Sequence, residues 1–169
     1  DDPSGNLARN AIHNAVQRDL RRRYPALISE VAVIKGSGGA GRIDLLNQYT
    51  GQIWEIKPNT RPSYYANGAA QLRNYARGRL LNYPKLRMRI GGPLKAGMFI
   101  YHVGRDIASV KYWYAGAGVI LYSYKILRKG EPSKSTIPVP YSDRQEKDDS
   151  NSNPQTNIIP FPVQNEGQD

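Results

Sequence analysis

Residues 41–58, Gly-Arg-Ile-Asp-Leu-Leu-Asn-Gln-Tyr-Thr-Gly-Gln-Ile-Trp-Glu-Ile-Lys-Pro, constrain the fold of this chain more than any other stretch. They read as two short apolar strands joined by a tight turn, with Pro58 as the stop. Asp44, Glu55 and Lys57 break those strands where a core would want hydrocarbon. Glu55 and Lys57 are two apart, so they leave a strand on one face while Ile56 leaves on the other. A turn at Tyr49-Thr50 pairs residues whose numbers sum to 99 and sets Asp44 across from Glu55. A turn at Thr50-Gly51 raises the sum to 101 and sets Asp44 across from Lys57. Either register gathers the three charges on one face, with opposed Cβ atoms roughly 5 Å apart. A three-residue loop would throw Asp44 to the other face.

Two carboxylates at that spacing repel and raise each other's pKa unless a cation lies between them. Hard oxygen ligands suit Mg²⁺, with Mn²⁺ able to substitute, and such an ion keeps waters and phosphate oxygens in the rest of its shell. A lysine beside the cation can hold or deprotonate a water, or neutralise charge that builds on a phosphate. The competing interpretation is a surface hairpin with an ordinary cross-strand ion pair.

The pattern D-x(10)-E-x-K formed by Asp44, Glu55 and Lys57 resembles the signature of the PD-(D/E)XK nuclease superfamily. The following helix adds Gln71-Leu72-Arg73-Asn74-Tyr75, which looks like the Q-x-x-x-Y element of the exonuclease-like branch. Across about residues 24 to 80 the chain is similar to restriction-endonuclease-fold toxin domains at the C-termini of bacterial secreted effectors. Ile43, rather than proline, precedes Asp44. The resemblance implies that Asp44 and Glu55 hold Mg²⁺, with Glu30 assisting and the Ile56 carbonyl as a further ligand. It also implies that Lys57 positions or activates the attacking water while Gln71 and Tyr75 shape the site. Its further implications are DNA as substrate, a cognate immunity protein as partner, and action in the cytoplasm of a target cell after secretion.

Charge supports a polyanionic partner. Residues 141–169 hold six acids and two bases, which leaves residues 1–140 with 22 bases against 8 acids, a net charge of +14. A body so basic attracts phosphate backbones in a salt-dependent way. Three of its eight acids are Glu30, Asp44 and Glu55. There is no cysteine, which excludes a disulfide partner and a thiolate metal site. No apolar run approaches the ~20 residues of a membrane helix, so no membrane partner is expected. The chain opens Asp-Asp-Pro without methionine and reads as a piece of a longer protein.

A helix is expected from about Leu7 to Tyr24, with Arg9, Arg18, Arg21, Arg22 and Arg23 on its polar side. His13 reads as packing or surface, since no second histidine lies near it in sequence. Ser29 to Lys35 reads as the first strand, with Glu30 at its start. Gly36-Ser37-Gly38-Gly39-Ala40-Gly41 lacks the G-x(4)-G-K-[ST] spacing of a phosphate loop and serves as a hairpin connection. A second helix is expected from about Ser63 to Leu81, where Gln71 and Tyr75 are i,i+4 neighbours. Arg42, Arg61, Arg73 and Arg77 are the candidates for phosphate contact. Three strands follow at about Ala96–Val103, Ile107–Tyr114 and Val119–Leu127, rich in Tyr101, Tyr112, Trp113, Tyr114, Tyr122 and Tyr124. Some of these aromatics would fill the core, and an outward set would stack on unpaired bases.

The expected architecture is α/β: a restriction-endonuclease-like core with a mixed β-sheet flanked by helices, in the order α-β-β-β-α-β-β-β. Residues 1–129 form this domain, and residues 130–169 form a Pro/Asn/Ser-rich acidic tail without a fold of its own. The expected activity is metal-dependent hydrolysis of phosphodiester bonds. The alternatives are a non-catalytic nucleic-acid-binding module and a housekeeping repair or junction nuclease of the same fold.

Overall fold

A computed structural model describes residues 3–103 and 106–128. The first helix, α1, spans Pro3–Arg23 and buries Ile12, Ala15, Val16 and Leu20, which recur at helical spacing. Arg21, Arg22 and Arg23 occupy its last turn, where positive charge complements the helix dipole. Pro25 then forces Tyr24 out of helical geometry. Three antiparallel strands follow: β1 (Leu27–Ile34), β2 (Ala40–Asn47) and β3 (Gln52–Pro58). Helix α2 spans Pro62–Ala76, and five further strands complete the order: β4 (Arg79–Leu80), β5 (Arg89–Ile90), β6 (Gly97–Val103), β7 (Asp106–Gly116) and β8 (Val119–Arg128).

The sheet runs β4-β1-β2-β3-β8-β7-β6, with β5 also paired to β3. β3 is its hub. Antiparallel β2 borders one edge of β3, while β5 and β8 run parallel to it. Arg89 donates to the Gly51 carbonyl, Gly91 to Ile53, and Glu55 to Gly118. The odd-numbered backbone groups of β3 are thus spent on β5 and β8, and the even-numbered ones face β2.

Each helix covers its own face. Ile12, Val16 and Leu20 of α1 pack with Leu45, Trp54, Ile56, Phe99, Ile120 and Tyr122. Ala69, Leu72 and Tyr75 of α2 pack with Val31, Val33, Ile43, Ile53 and Val119. The result is a mixed sheet between two helices, the α/β class expected from sequence.

β1 and β2 break the alternation of side chains together. Leu27 belongs to the α1 core but Val31 and Val33 to the α2 core, although all three are odd-numbered. On β2, Ile43 packs with α2 and Leu45 with α1. Between them sit Glu30 and Asp44, skipped in a ladder that pairs Ser29 with Leu45 and Val31 with Ile43. Glu30 has φ +57°, a left-handed conformation that is strained for a side chain of its size.

Several boundaries differ from the sequence expectation. α2 stops at Ala76 rather than Leu81, with Arg77 as its cap. A Cβ on Gly78 would collide with the Ile34 carbonyl, so glycine lets the chain turn there and Arg79–Leu80 pair with β1. β4 and β5 are additional to the expected strand order. Tyr112 and Tyr122 are buried, and Tyr101, Tyr114 and Tyr124 are half-buried against the α1 core. The expected tail, residues 130–169, lies outside the described residues.

One buried polar network ties α1 to β7. The Tyr112 hydroxyl donates to Asp19 and accepts from Arg23, and Asp19 is also paired with Arg22 at 2.8 Å. Asp19 is 2% exposed, so losing a donor leaves its carboxylate poorly solvated. Tyr112→Phe should therefore lower stability by about 1–3 kcal/mol, measured by denaturant unfolding.

Candidate active site

The hairpin adopts the register that sums to 99: Leu45 pairs with Trp54 and Leu46 with Ile53. Asp44 is next in line to meet Glu55, but the ladder ends one pair earlier. Asp44 instead turns its carboxylate into the gap, where Oδ2 accepts the Ile56 N–H at 2.7 Å. The side chain takes the place of a backbone acceptor on β2. Asp44 therefore does not share a face with Glu55 and Lys57 in the simple manner expected of a regular hairpin.

Glu55 and Lys57 leave β3 together on the α2 side, with Lys57 Nζ 2.8 Å from Glu55 Oε1. Lys57 also donates to Gln71 Oε1 at 3.1 Å, and the Gln71 amide donates to the Tyr75 hydroxyl at 2.6 Å. The four residues Glu55, Lys57, Gln71 and Tyr75 thus form one continuous chain from strand to helix. The i,i+4 spacing on α2 aligns the last two. Gly68 keeps the helix close: a Cβ there would come within 3.3 Å of Lys57 Cγ. The Tyr75 ring is also part of the α2 core.

Glu55 is 3% exposed, and its Oε2 is buried without a hydrogen-bond partner among the described residues. Burial, then the negative charge of Asp44, push its pKa up to about 7, against the opposing pull of Lys57 and His13. The influence of Asp44 shows that the two acids lie within electrostatic reach of each other. An orphaned carboxylate oxygen of this kind, beside a second acid, fits a hard divalent ion. Ile56 directs its N–H toward β2, the edge to which a strand residue also turns its carbonyl. No group of three or more His, Cys, Asp or Glu side chains suited to hold a metal occurs among the described residues.

Two contributors were not anticipated. His13 Nε2 lies 3.3 Å from Asp44 Oδ2. Burial works against charging this imidazole, but the hydrogen bond to Asp44 and its charge outweigh burial, so the pKa rises above its ordinary value. Gln17, one turn along α1, donates to Glu30 Oε1 at 2.8 Å and to the Asp44 carbonyl at 3.3 Å. The available signal was the i,i+4 spacing of His13 and Gln17 on the helix preceding the acidic hairpin.

Glu30 lies opposite Asp44, yet its carboxylate is engaged by Gln17 and by Arg42 at 3.3 Å. Arg42 lies on β2, two residues before Asp44. Arg61 is the exposed N-cap residue of α2, and Arg73 and Arg77 are exposed, away from the buried side of α2 that carries Leu72 and Tyr75. No protein-family model, curated protein or solved structure matches the chain.

The raised pKa values set the pH response of the metal-free protein. The folded chain keeps a proton on Glu55 up to about pH 7, whereas the unfolded chain releases it near 4.5. Folding therefore loses stability as pH rises through that window, and His13 acts in the same direction above its ordinary value. The thermal midpoint in EDTA should fall between about pH 5 and about pH 8, and Glu55→Gln should flatten the decline. Scanning calorimetry across that range checks both.

Proposed function

We propose that this chain is a divalent-metal-dependent nuclease. The observation that carries the proposal is the buried acid pair, Asp44 and Glu55, at the point where β2 parts from β3, with Lys57 ion-paired beside it. Around it lies a chain of net charge +10, suited to a phosphate backbone. The sequence resemblance to the PD-(D/E)XK superfamily supports the same chemistry, and with it a restriction-endonuclease-like core.

Asp44, Glu55 and the Ile56 carbonyl would hold Mg²⁺ or Mn²⁺, with Glu30 assisting from the neighbouring strand. When bound, the ion would polarise the phosphate and lower the pKa of a bound water. The chain's own residues do the rest. Lys57 presents an ammonium to the attacking water or to the charge developing on the phosphate. Gln71 fixes that ammonium, and Tyr75 fixes the Gln71 amide. His13 and the Ile56 amide hold Asp44 in its orientation.

By the same resemblance, the substrate is DNA and the biological role is that of a secreted bacterial toxin domain, neutralised by an immunity protein. Toxicity on expression inside bacteria, lost in Lys57→Ala, would support that role. A non-catalytic nucleic-acid binder is the second reading, favoured by the engagement of the Glu30 carboxylate with Gln17 and Arg42.

Incubation of duplex DNA, single strands and RNA with Mg²⁺ separates the two. Cutting should stop in EDTA and fall by about 10²-fold or more in Lys57→Ala, with Gln71→Ala intermediate. Binding without cutting, unchanged by EDTA, would leave the second reading standing.

A further inference from the structure

Between α1 and the β1–β2 strands lies an open cleft of about 510 Å³ with Glu30 in its wall. Arg18, Arg21 and Arg42 line it, and Glu30 is its one acid, so three guanidinium groups against one carboxylate leave two positive charges in excess. The remaining wall is neutral and polar, from Asn14, Gln17 and Ser29. The cleft reaches the Asp44 backbone, because Gln17 in its wall donates both to Glu30 and to the Asp44 carbonyl.

The arginines are not used up by their protein partners. Arg42 is paired with Glu30, but its side chain remains 70% exposed. Arg21 makes one hydrogen bond, to Ser29 Oγ at 3.2 Å, and is exposed. Arg18 reaches the Tyr101 hydroxyl at 3.5 Å and lies 6.0 Å from the centre of that ring. Its Nε is buried without a hydrogen-bond partner among the described residues. A guanidinium N–H left so is costly unless an acceptor reaches it. Phosphate oxygens are the natural match, since they accept the paired N–H groups of arginine in a fixed geometry.

We infer that this cleft binds one nucleotide of a nucleic-acid strand, its phosphate on Arg18 and Arg21 and its remaining polar atoms against Asn14 and Gln17. The volume is within the range of small-ligand sites. The inference rests on the nuclease reading only in placing this nucleotide beside the phosphodiester at Asp44 and Glu55. Binding in the cleft requires neither metal nor cleavage.

The test is NMR of arginine side-chain Nε–Hε signals of the wild-type chain in EDTA. Inorganic phosphate, a 5′-mononucleotide, a short single-stranded oligodeoxynucleotide and a polyglutamate peptide are titrated separately. The oligonucleotide and the mononucleotide should move the Arg18 and Arg21 signals and leave Arg73 and Arg77 in place. Arg21→Gln, which disturbs only an exposed contact, should weaken oligonucleotide binding by about tenfold and reduce the salt slope by roughly 0.7. Arg73→Gln should do neither.

Response to free phosphate alone, or to the peptide and not the nucleotides, overturns the inference. So does an oligonucleotide that moves Arg73 and Arg77 while Arg18 and Arg21 stay still. A chain that cuts DNA with a silent cleft refutes the cleft alone. A responsive cleft in a chain that never cuts refutes the nuclease reading alone.

Discussion

The hydrogen bond from the Ile56 amide to the Asp44 carboxylate is the interaction on which the site depends. In an unbroken hairpin that amide would meet a β2 carbonyl, and the carboxylate would stand on a sheet face. By taking the amide for itself, Asp44 ends the β2–β3 ladder and opens a gap between the strands. A charged acceptor makes this bond stronger than the neutral one it replaces. β3 can leave β2 without stranding a buried donor, and its other edge is already committed to β8.

Beyond that gap, the chain places an acid where burial opposes its charge and then offsets it in part, through Lys57 and more weakly through His13. A core optimised for stability alone would not retain this arrangement, since a buried carboxylate oxygen without a partner is a liability. The two helices divide the work of containing it. α2 holds the lysine through Gln71, and α1 holds Asp44 through His13 and Gln17. Each helix is anchored by its own apolar cluster, so the polar groups between them are held by rigid packing on both faces.

Much of this was legible in the sequence because it is periodic and local. The sequence narrowed the hairpin to two registers, of which the structure adopts the one that sums to 99, and the i,i+4 neighbourhood of Gln71 and Tyr75 followed from helix geometry. The inward turn of Asp44 was not legible, since a regular strand places residues by parity and this one departs from it. The left-handed Glu30 has no sequence mark either, as glycine or asparagine would have supplied. β4 and β5 are two-residue strands that owe their existence to neighbours distant in sequence, and such pairing leaves no pattern in the segment itself. His13 went unassigned because its partner, Asp44, lies 31 residues away on another element.

The twin irregularity at Glu30 and Asp44 ties the histories of two strands together. The pairing sum of β1 with β2 is the same on both sides of the skipped pair, so each strand inverts once and the inversions cancel. Losing or gaining one residue in β1 alone would swap the layers into which Leu27 and Val31 point relative to their β2 neighbours. A compensating change in β2 would restore the match. Viable sequence drift through this part of the sheet should therefore come in coupled steps, with the kinked positions inherited as a pair.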